Sequence, residues 1–253
     1  MSLDPGFDSS DDAPWADAPL FRQFWKNGEL NASRAVSMGQ RIALDAARPG
    51  GTPGPVHSRA AVPLPDLAGD AAAAWQRRHS TRAFGPQAAS VQDLGALLHP
   101  LRARRHEPYR LLPSGGAKYP IQTYVALCRL DGPRELAGRI AWYDSEAHGL
   151  TPVRDCPAWE TLARVLGVDW PDEPAAVIFL IARPENMLAK YGERGGRFML
   201  LEAGAYLGAL GYQAAQADWG GCAIGSFHDA ALLSLLGLDA ERHLAVLAYA
   251  CGP

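Results

Sequence analysis

The stretch Arg194–Asp218, RGGRFMLLEAGAYLGALGYQAAQAD, decides the fold. Phe198, Leu201, Ala205, Gly208 and Tyr212 recur at spacings of three and four, and Leu200, Gly204, Leu207, Gly211 and Ala214 form an adjoining stripe. That periodicity predicts the longest helix of the chain over residues 194–218. An apolar arc this wide implies burial on more than one side, and its small residues let another element approach closely. Gly220-Gly221 would end the helix as a left-handed C-terminal cap.

Downstream, Ala230–Leu236 reads as a short helix and His243–Cys251 as a last strand. Upstream, Ala175–Ala182 (AAVIFLIA) is a continuous apolar run suited to a strand covered on both faces. Trp159–Leu166 is helical. Gln122–Arg129 and Arg139–Tyr143 are strands separated by a polar turn holding Asp131-Gly132-Pro133. Arg110–Pro120 is a loop of small residues. Val91–His99 is a helix with Ser90 as its N-cap, and Ala71–Arg77 another. This order gives an α+β fold without strict βαβ alternation. The main domain spans 67–253, preceded by an extension over 1–66. The extension has a disordered acidic start at 1–14 and an aromatic segment (Trp15, Phe21, Phe24, Trp25) leading into a short helix. A Pro/Gly-rich connection at 48–65 follows.

Composition narrows the class. Of 253 residues 48% are apolar, enough for a sizeable core, and the net charge of -3 gives no drive towards nucleic acid or an anionic membrane. No apolar run reaches the roughly 18–20 residues of a membrane helix, and the acidic start is no secretory signal. Cys128, Cys156, Cys222 and Cys251 form no Cys-x-x-Cys pair and stand near no histidine at metal-ligand spacing. They read as reduced thiols of a cytoplasmic protein, with no metal site. There is no Gly-x-Gly-x-x-Gly after a strand and no Gly-x-Ser-x-Gly, so neither a Rossmann domain nor a hydrolase elbow is indicated.

Four motifs carry chemistry. Arg77–Phe84 (RRHSTRAF) packs three guanidiniums, an imidazole and two hydroxyls together. In an extended segment positions 78, 80 and 82 share a side and could surround a phosphate with charge-assisted bonds; a solvated basic stretch is the plain alternative. Pro113–Pro120 (PSGGAKYP) lets backbone approach a planar ring, or is simply a turn. In Ala189–Gly204 an ammonium, Lys190, neighbours a phenol, Tyr191, a pairing that favours phenolate and could make a base; the alternative is a solvated helix N-terminus. Gly220–Asp229 (GGCAIGSFHD) is a turn after the long helix.

Together, in this order over residues 75–252, these motifs resemble those of the FMN-dependent nitroreductase-like superfamily. They are most similar to its SagB/McbC-type branch, which forms thiazoles and oxazoles by oxidising azolines. The resemblance implies a three-layer α/β/α sandwich built as an intertwined homodimer. It implies FMN as cofactor, its phosphate on Arg78, His79, Ser80 and Arg82. The ring would lie between the loop Pro113, Ser114, Gly115 and Gly116, often reaching across from the other subunit, and the turn at Ile224 and Gly225. Lys190 and Tyr191 would be catalytic, with Tyr191 removing a proton as the flavin takes a hydride. The substrate would be a small molecule or peptide, and molecular oxygen or another acceptor would reoxidise the flavin. The resemblance leaves open an NAD(P)H-dependent nitroreductase or quinone reductase, and a non-catalytic flavin-binding protein. Many relatives grip the phosphate with a late Lys/Arg pair that Ala250–Pro253 lacks. That leaves the three arginines of the first motif, Arg242, or a weaker hold. Ala205 stands where the azoline branch often has His.

Overall fold

The computed structural model describes residues 15–46 and 62–253. Eight α-helices are present among them: α1 (Pro19–Gly28), α2 (Ala32–Ala46), α3 (Asp70–Arg77), α4 (Val91–Leu98), α5 (Trp159–Leu166), α6 (Glu185–Tyr191), α7 (Glu193–Gln216) and α8 (Asp229–Leu236). The strands are β1 (Ala89–Ser90), β2 (Ile121–Leu127), β3 (Leu130–Asp131), β4 (Arg139–Asp144), β5 (Gly149–Asp155), β6 (Ala176–Ala182), β7 (Gly220–Ile224) and β8 (Leu244–Gly252). Six strands form one sheet in the order β5-β4-β2-β6-β8-β7, antiparallel at every pairing. β1 and β3 make a separate short parallel pair.

The sheet is covered on both faces. On one side α4, α6 and α7 contribute Leu94, Leu98, Met187, Met199, Tyr206 and Leu210 to a core that includes Val125, Ile178 and Leu180 of the strands. On the other side Leu162 and Leu166 of α5 and Leu232 and Leu236 of α8 pack on Ala126, Val177 and Phe179. This is the three-layer α/β/α arrangement. β6, central in the sheet, is buried at every residue, which is why its sequence is apolar without alternation.

Local chemistry explains several boundaries. Ser90 caps α4 in a full capping box with Asp93. Gly167 and Gly237, both left-handed, close α5 and α8. α7 ends differently from expectation. Its cap is Ala217, and the left-handed turn falls on Asp218. Gly220 and Gly221 instead open β7. A Cβ on Gly221 would collide with the ring of Tyr249 on β8, and one on Gly220 with Thr81. They are glycines for close approach, not for a cap. β7 and β5 were not foreseen as strands. The first hides behind its glycines, and the second is an exposed edge strand interrupted by Pro152.

The buried face of α7 also differs. Gly195, Met199, Glu202, Ala203, Tyr206, Leu210 and Ala214 point inward. Of the two expected stripes Gly211 and Ala214 are buried, whereas Leu200, Leu201, Gly204 and Gly208 are exposed, Leu201 at 70%. Packing against the sheet selects the Met199–Tyr206 side, and the glycine-rich side stays open.

The aromatic segment folds onto the main body. Trp15 (2% exposed), Ala18 and Phe21 belong to the same core cluster as α7. The Trp15 indole N–H donates to the Glu241 carbonyl at 2.9 Å. Gly196 of α7 gives the Phe21 ring its seat, since a Cβ there would strike it. Two helices rather than one follow Trp15. The acidic start at 1–14 and the connection up to residue 61 lie outside the described residues; 62–69 have no helix or strand. No helix among the described residues is long and apolar enough to cross a membrane.

Truncating a buried tryptophan costs about 3–5 kcal/mol where the segment is docked. Trp15→Ala is therefore expected to lower stability by that order in equilibrium chemical denaturation. An unchanged midpoint would show that the aromatic segment is not part of the core.

Candidate functional site

The first motif lies at the edge of the sheet. Arg78 caps α3, and from there the chain runs extended along β7: Ser80 pairs with Gly221 as a parallel bridge, and the Thr81 N–H donates to the Gly221 carbonyl at 3.0 Å. Arg78, His79 and Ser80 thereby line a cavity of about 280 Å³ with Trp75, Trp219, Gly221, Ala223 and Tyr249. Its remaining wall is α7, presented as Gly204, Leu207, Gly208 and Gly211.

The donor set suits a phosphate on an extended chain. No carboxylate among the described residues pairs with Arg78. Ideal Cβ atoms at Gly204 and Gly208 would meet nothing within 4 Å, so the helix surface there is bare and open. At Gly211 a Cβ would come no nearer than 4.0 Å to Arg78 and Tyr249. A cation, a hydroxyl and unobstructed backbone thus face one space. His79 is engaged locally: Nδ1 lies 2.7 Å from the Arg77 carbonyl and Nε2 3.1 Å from Thr81 Oγ1. Arg77 turns away, donating to the Ala215 carbonyl at 2.9 Å. Arg82 is exposed and does not line the cavity. Arg242, the other candidate for the phosphate, is 3.6 Å from Glu185 and 3.9 Å from Asp239. It stands seven residues before Tyr249, about 20 Å away along a strand, and plays no part in this cavity.

The second and third motifs meet elsewhere. Lys190 and Tyr191 occupy the last turn of α6, a separate helix broken from α7 by Gly192; they are not at the N-terminus of the long helix. Lys190 Nζ lies 5.2 Å from the centroid of the Tyr191 ring, which stands edge-on to Phe198 at 5.0 Å. Gly116, left-handed at φ 58°, packs against both: a Cβ there would collide with the Tyr191 hydroxyl and with Lys190 Nζ. A Cβ on Gly115 would lie 3.4 Å from Met187 and Phe198, and Ser114 Oγ accepts from the Tyr119 N–H at 2.8 Å. Pro113 is exposed at the head of this loop.

α7 separates the two groups. At about 100° per residue, Gly204, Leu207 and Gly211 lie on one side of the helix and Phe198, Glu202 and Tyr206 on the opposite side. Within one chain Arg78–Ser80 and Lys190–Tyr191 are held apart. Of the fourth motif, the Ile224 side chain is buried in the core beneath β7 and β8, while Gly225 lines a second cavity of about 240 Å³. No group of three His, Cys, Asp or Glu side chains among the described residues could hold a metal ion.

Reading the sequence missed Glu202. It is 4% exposed beneath the Ser114 loop, and neither carboxylate oxygen has a hydrogen-bond partner. Burial pushes it up to about 7, against the lowering influence of Ser114, Arg110 and the Ile121 backbone. The visible signal is a lone acid on the inward stripe 199–202–206–210. Trp75, Trp219 and Tyr249 were also unforeseen, because the fold alone brings them to the cavity.

A model of the Nitroreductase family matches residues 76–252. The chain belongs to the nitroreductase family. The nitroreductase-like protein MJ1384 of Methanocaldococcus jannaschii is 24% identical over 162 residues, 63% of this chain and 80% of that protein. A chain of the E. coli microcin synthetase McbBCD complex with truncated pro-MccB17 bound matches with a TM-score of 0.61 at 18% identity, covering 88% of this chain and 94% of its own. A nitroreductase-like protein of Ralstonia eutropha JMP134 matches with a TM-score of 0.61 at 21% identity, covering 76% and 87%. These structural likenesses establish the fold. Family membership carries the reaction class: the protein is an FMN-dependent oxidoreductase.

The buried acid sets a pH dependence. The folded Glu202 is raised from the ordinary 4.5 to about 7. Between those values the folded chain keeps a proton that the unfolded chain has released, so stability falls as pH rises through that window and levels off above it. Glu202→Gln cannot ionise. Its stability is expected to exceed wild type by up to about 3 kcal/mol at neutral-to-alkaline pH and to match it near pH 4, as read by urea denaturation across pH. A constant difference between the two proteins would contradict the assignment.

Proposed function

We propose that this nitroreductase-family protein is a SagB-type dehydrogenase that oxidises azoline rings of a peptide or related small molecule, working as a homodimer with composite sites. The supporting observation is the separation of its two motif groups by α7. In a two-fold pair, the Gly116–Tyr191 cluster of one subunit can complete the Arg78 cavity of the other. Leu201, an apolar side chain 70% exposed on α7 and in neither cavity, is suited to a subunit contact. In this reading residues 67–253 are the flavin domain and 1–66 an extension docked upon it.

Each group then has a physical task. Arg78 and Ser80 hold the phosphate, with His79 fixing the local turn and Arg82 available from the exposed side. The bare helix surface at Gly204–Gly211 would leave room for the rest of the cofactor, with the Ile224–Gly225 backbone at the adjoining turn. Bound FMN supplies two-electron acceptor chemistry. Tyr191 takes the proton from the ring carbon of the substrate. Lys190 sets an ammonium beside that phenol, with Nζ 5.2 Å from the ring centroid. Ser114–Gly116, without bulky side chains, let the two polar heads reach the reacting carbon. The likeness to a chain of McbBCD, solved with truncated pro-MccB17, favours a peptide substrate.

A reductase fed by NAD(P)H would not need Tyr191 as a base. Stopped-flow mixing separates the readings: slow bleaching of the flavin by NADPH, with Tyr191→Phe retaining flavin and losing azoline turnover, is the expected result. Fast bleaching with turnover indifferent to Tyr191→Phe would overturn the dehydrogenase.

Composite sites can be tested by complementation. Arg78→Ala and Tyr191→Phe are each expected to be inactive alone. Each mixed dimer carries both defects in one site and leaves the other intact, so co-refolding should restore about a quarter of wild-type turnover. No recovery, with mixed dimers demonstrated by mass spectrometry, would place all functional groups in one subunit.

A further inference from the structure

The cavity beside Gly225 continues the one beside Arg78. The same three elements line both. Along α7 the lining passes from Gly211 and Gly204 to Leu200. Along β7 it passes from Gly221 and Ala223 to Gly225 just beyond the strand, and along β8 from Tyr249 to Val246. Leu200 to Gly211 spans about 16 Å of helix, and Gly221 to Gly225 about 13 Å of extended chain. The two cavities follow one another along these elements.

What closes the second cavity is the N-terminal segment. Phe24, Trp25 and Leu30 form its outer wall. That wall is clamped on both sides of the aromatic pair. The Leu20 and Phe21 N–H groups donate to the Glu193 carboxylate at 2.8 and 2.7 Å, and the Leu30 N–H donates to Asp229 Oδ2 at 2.7 Å. Between the clamps Phe24 stacks on Phe21, with ring centroids 6.0 Å apart, yet stays 62% exposed. The two acids of the lining are already engaged: Asp229 by Leu30, and Glu29 by Lys26 at 3.2 Å. The rest of the lining, Phe24, Trp25, Leu30, Leu200, Phe227 and Val246, is apolar or aromatic.

We propose that this second cavity is the substrate chamber, and that the N-terminal segment supplies its specificity-determining wall, with Phe24 and Trp25 as faces for a flat, uncharged ring. The proposal rests on the reading that the Arg78 cavity holds FMN. An azoline or azole ring has the required chemistry: planar, uncharged and able to stack on an aromatic face.

The test uses the FMN-loaded full chain, with 2-methylthiazole-4-carboxamide as probe, followed by ligand-observed NMR. Phe24→Ala is expected to weaken the probe about fivefold, the scale of one aromatic pair, while FMN affinity by fluorescence quenching stays within about twofold. Leu20→Ala, an exposed side chain on the same helix, should change neither. Unchanged probe affinity in Phe24→Ala overturns the proposal. So does a matched loss of FMN affinity, which would make Phe24 a flavin contact. Loss of dimer with unchanged probe affinity also overturns it, assigning Phe24 to a subunit contact. Failure of the wild-type chain to bind FMN sinks the underlying reading instead, a result seen before any variant is made.

Discussion

α7 meets the sheet through Met199, Ala203, Tyr206, Leu210 and Ala214, and the position of every functional group follows from which side of that helix it occupies. The inward face is large and apolar and anchors the helix by burial. The outward face carries glycines where side chains would otherwise project, so backbone itself becomes surface. Glycine in a helix interior costs about 1 kcal/mol relative to alanine. Gly204, Gly208 and Gly211 together are a local destabilisation that only burial of the opposite face can offset. The site exists because the packing of one side permits bareness on the other.

The same helix organises its two ends. Near its start, Gly195 and Gly196 admit the Met187 carbonyl and the Phe21 ring at distances no side chain would allow. α6 and the N-terminal segment thereby lock onto it. Towards its end, the approach of β7 brings Gly221 against Tyr249 and leaves Ser80 bridged to the sheet edge. Burial pushes the Tyr249 phenol up, so it stays neutral beside Arg78 and leaves that guanidinium's charge uncancelled. The electrostatic character of the cavity is thus set by what is kept out of it as much as by Arg78 itself.

Much of this was legible beforehand. The apolar run Ala175–Ala182, the Ser90 cap and the long helix all announce themselves through local rules that the tertiary structure obeys. The motif order gave the family, and with it the cofactor. The failures share a cause. Gly220-Gly221 looks like a helix cap because a glycine pair carries no record of whether it serves a turn or a close contact, and Tyr249, which decides the matter, lies 28 residues further on. The stripe at Leu200 and Leu201 is apolar enough for a core, yet the sheet takes the neighbouring face. The short helix α6 that carries Lys190-Tyr191 was not foreseen, because seven residues ended by Gly192 are too few to show a helical period. Glu202 was invisible for the opposite reason: a single acid in an apolar stripe reads as noise until its burial is known. That the N-terminal aromatics would join the second cavity required the fold.

The account turns on Arg78 and Ser80 gripping a phosphate at the glycine-lined face of α7. Riboflavin has the same ring and ribityl chain as FMN but no phosphate, so the ratio of their dissociation constants, measured by flavin fluorescence quenching, reads that grip directly. A charge-assisted bond contributes about 1.5–3 kcal/mol, and FMN is predicted to bind at least about tenfold more tightly than riboflavin, with Arg78→Ala removing most of the difference. Equal affinities for the two flavins, or a preference for FMN untouched by Arg78→Ala, would contradict it.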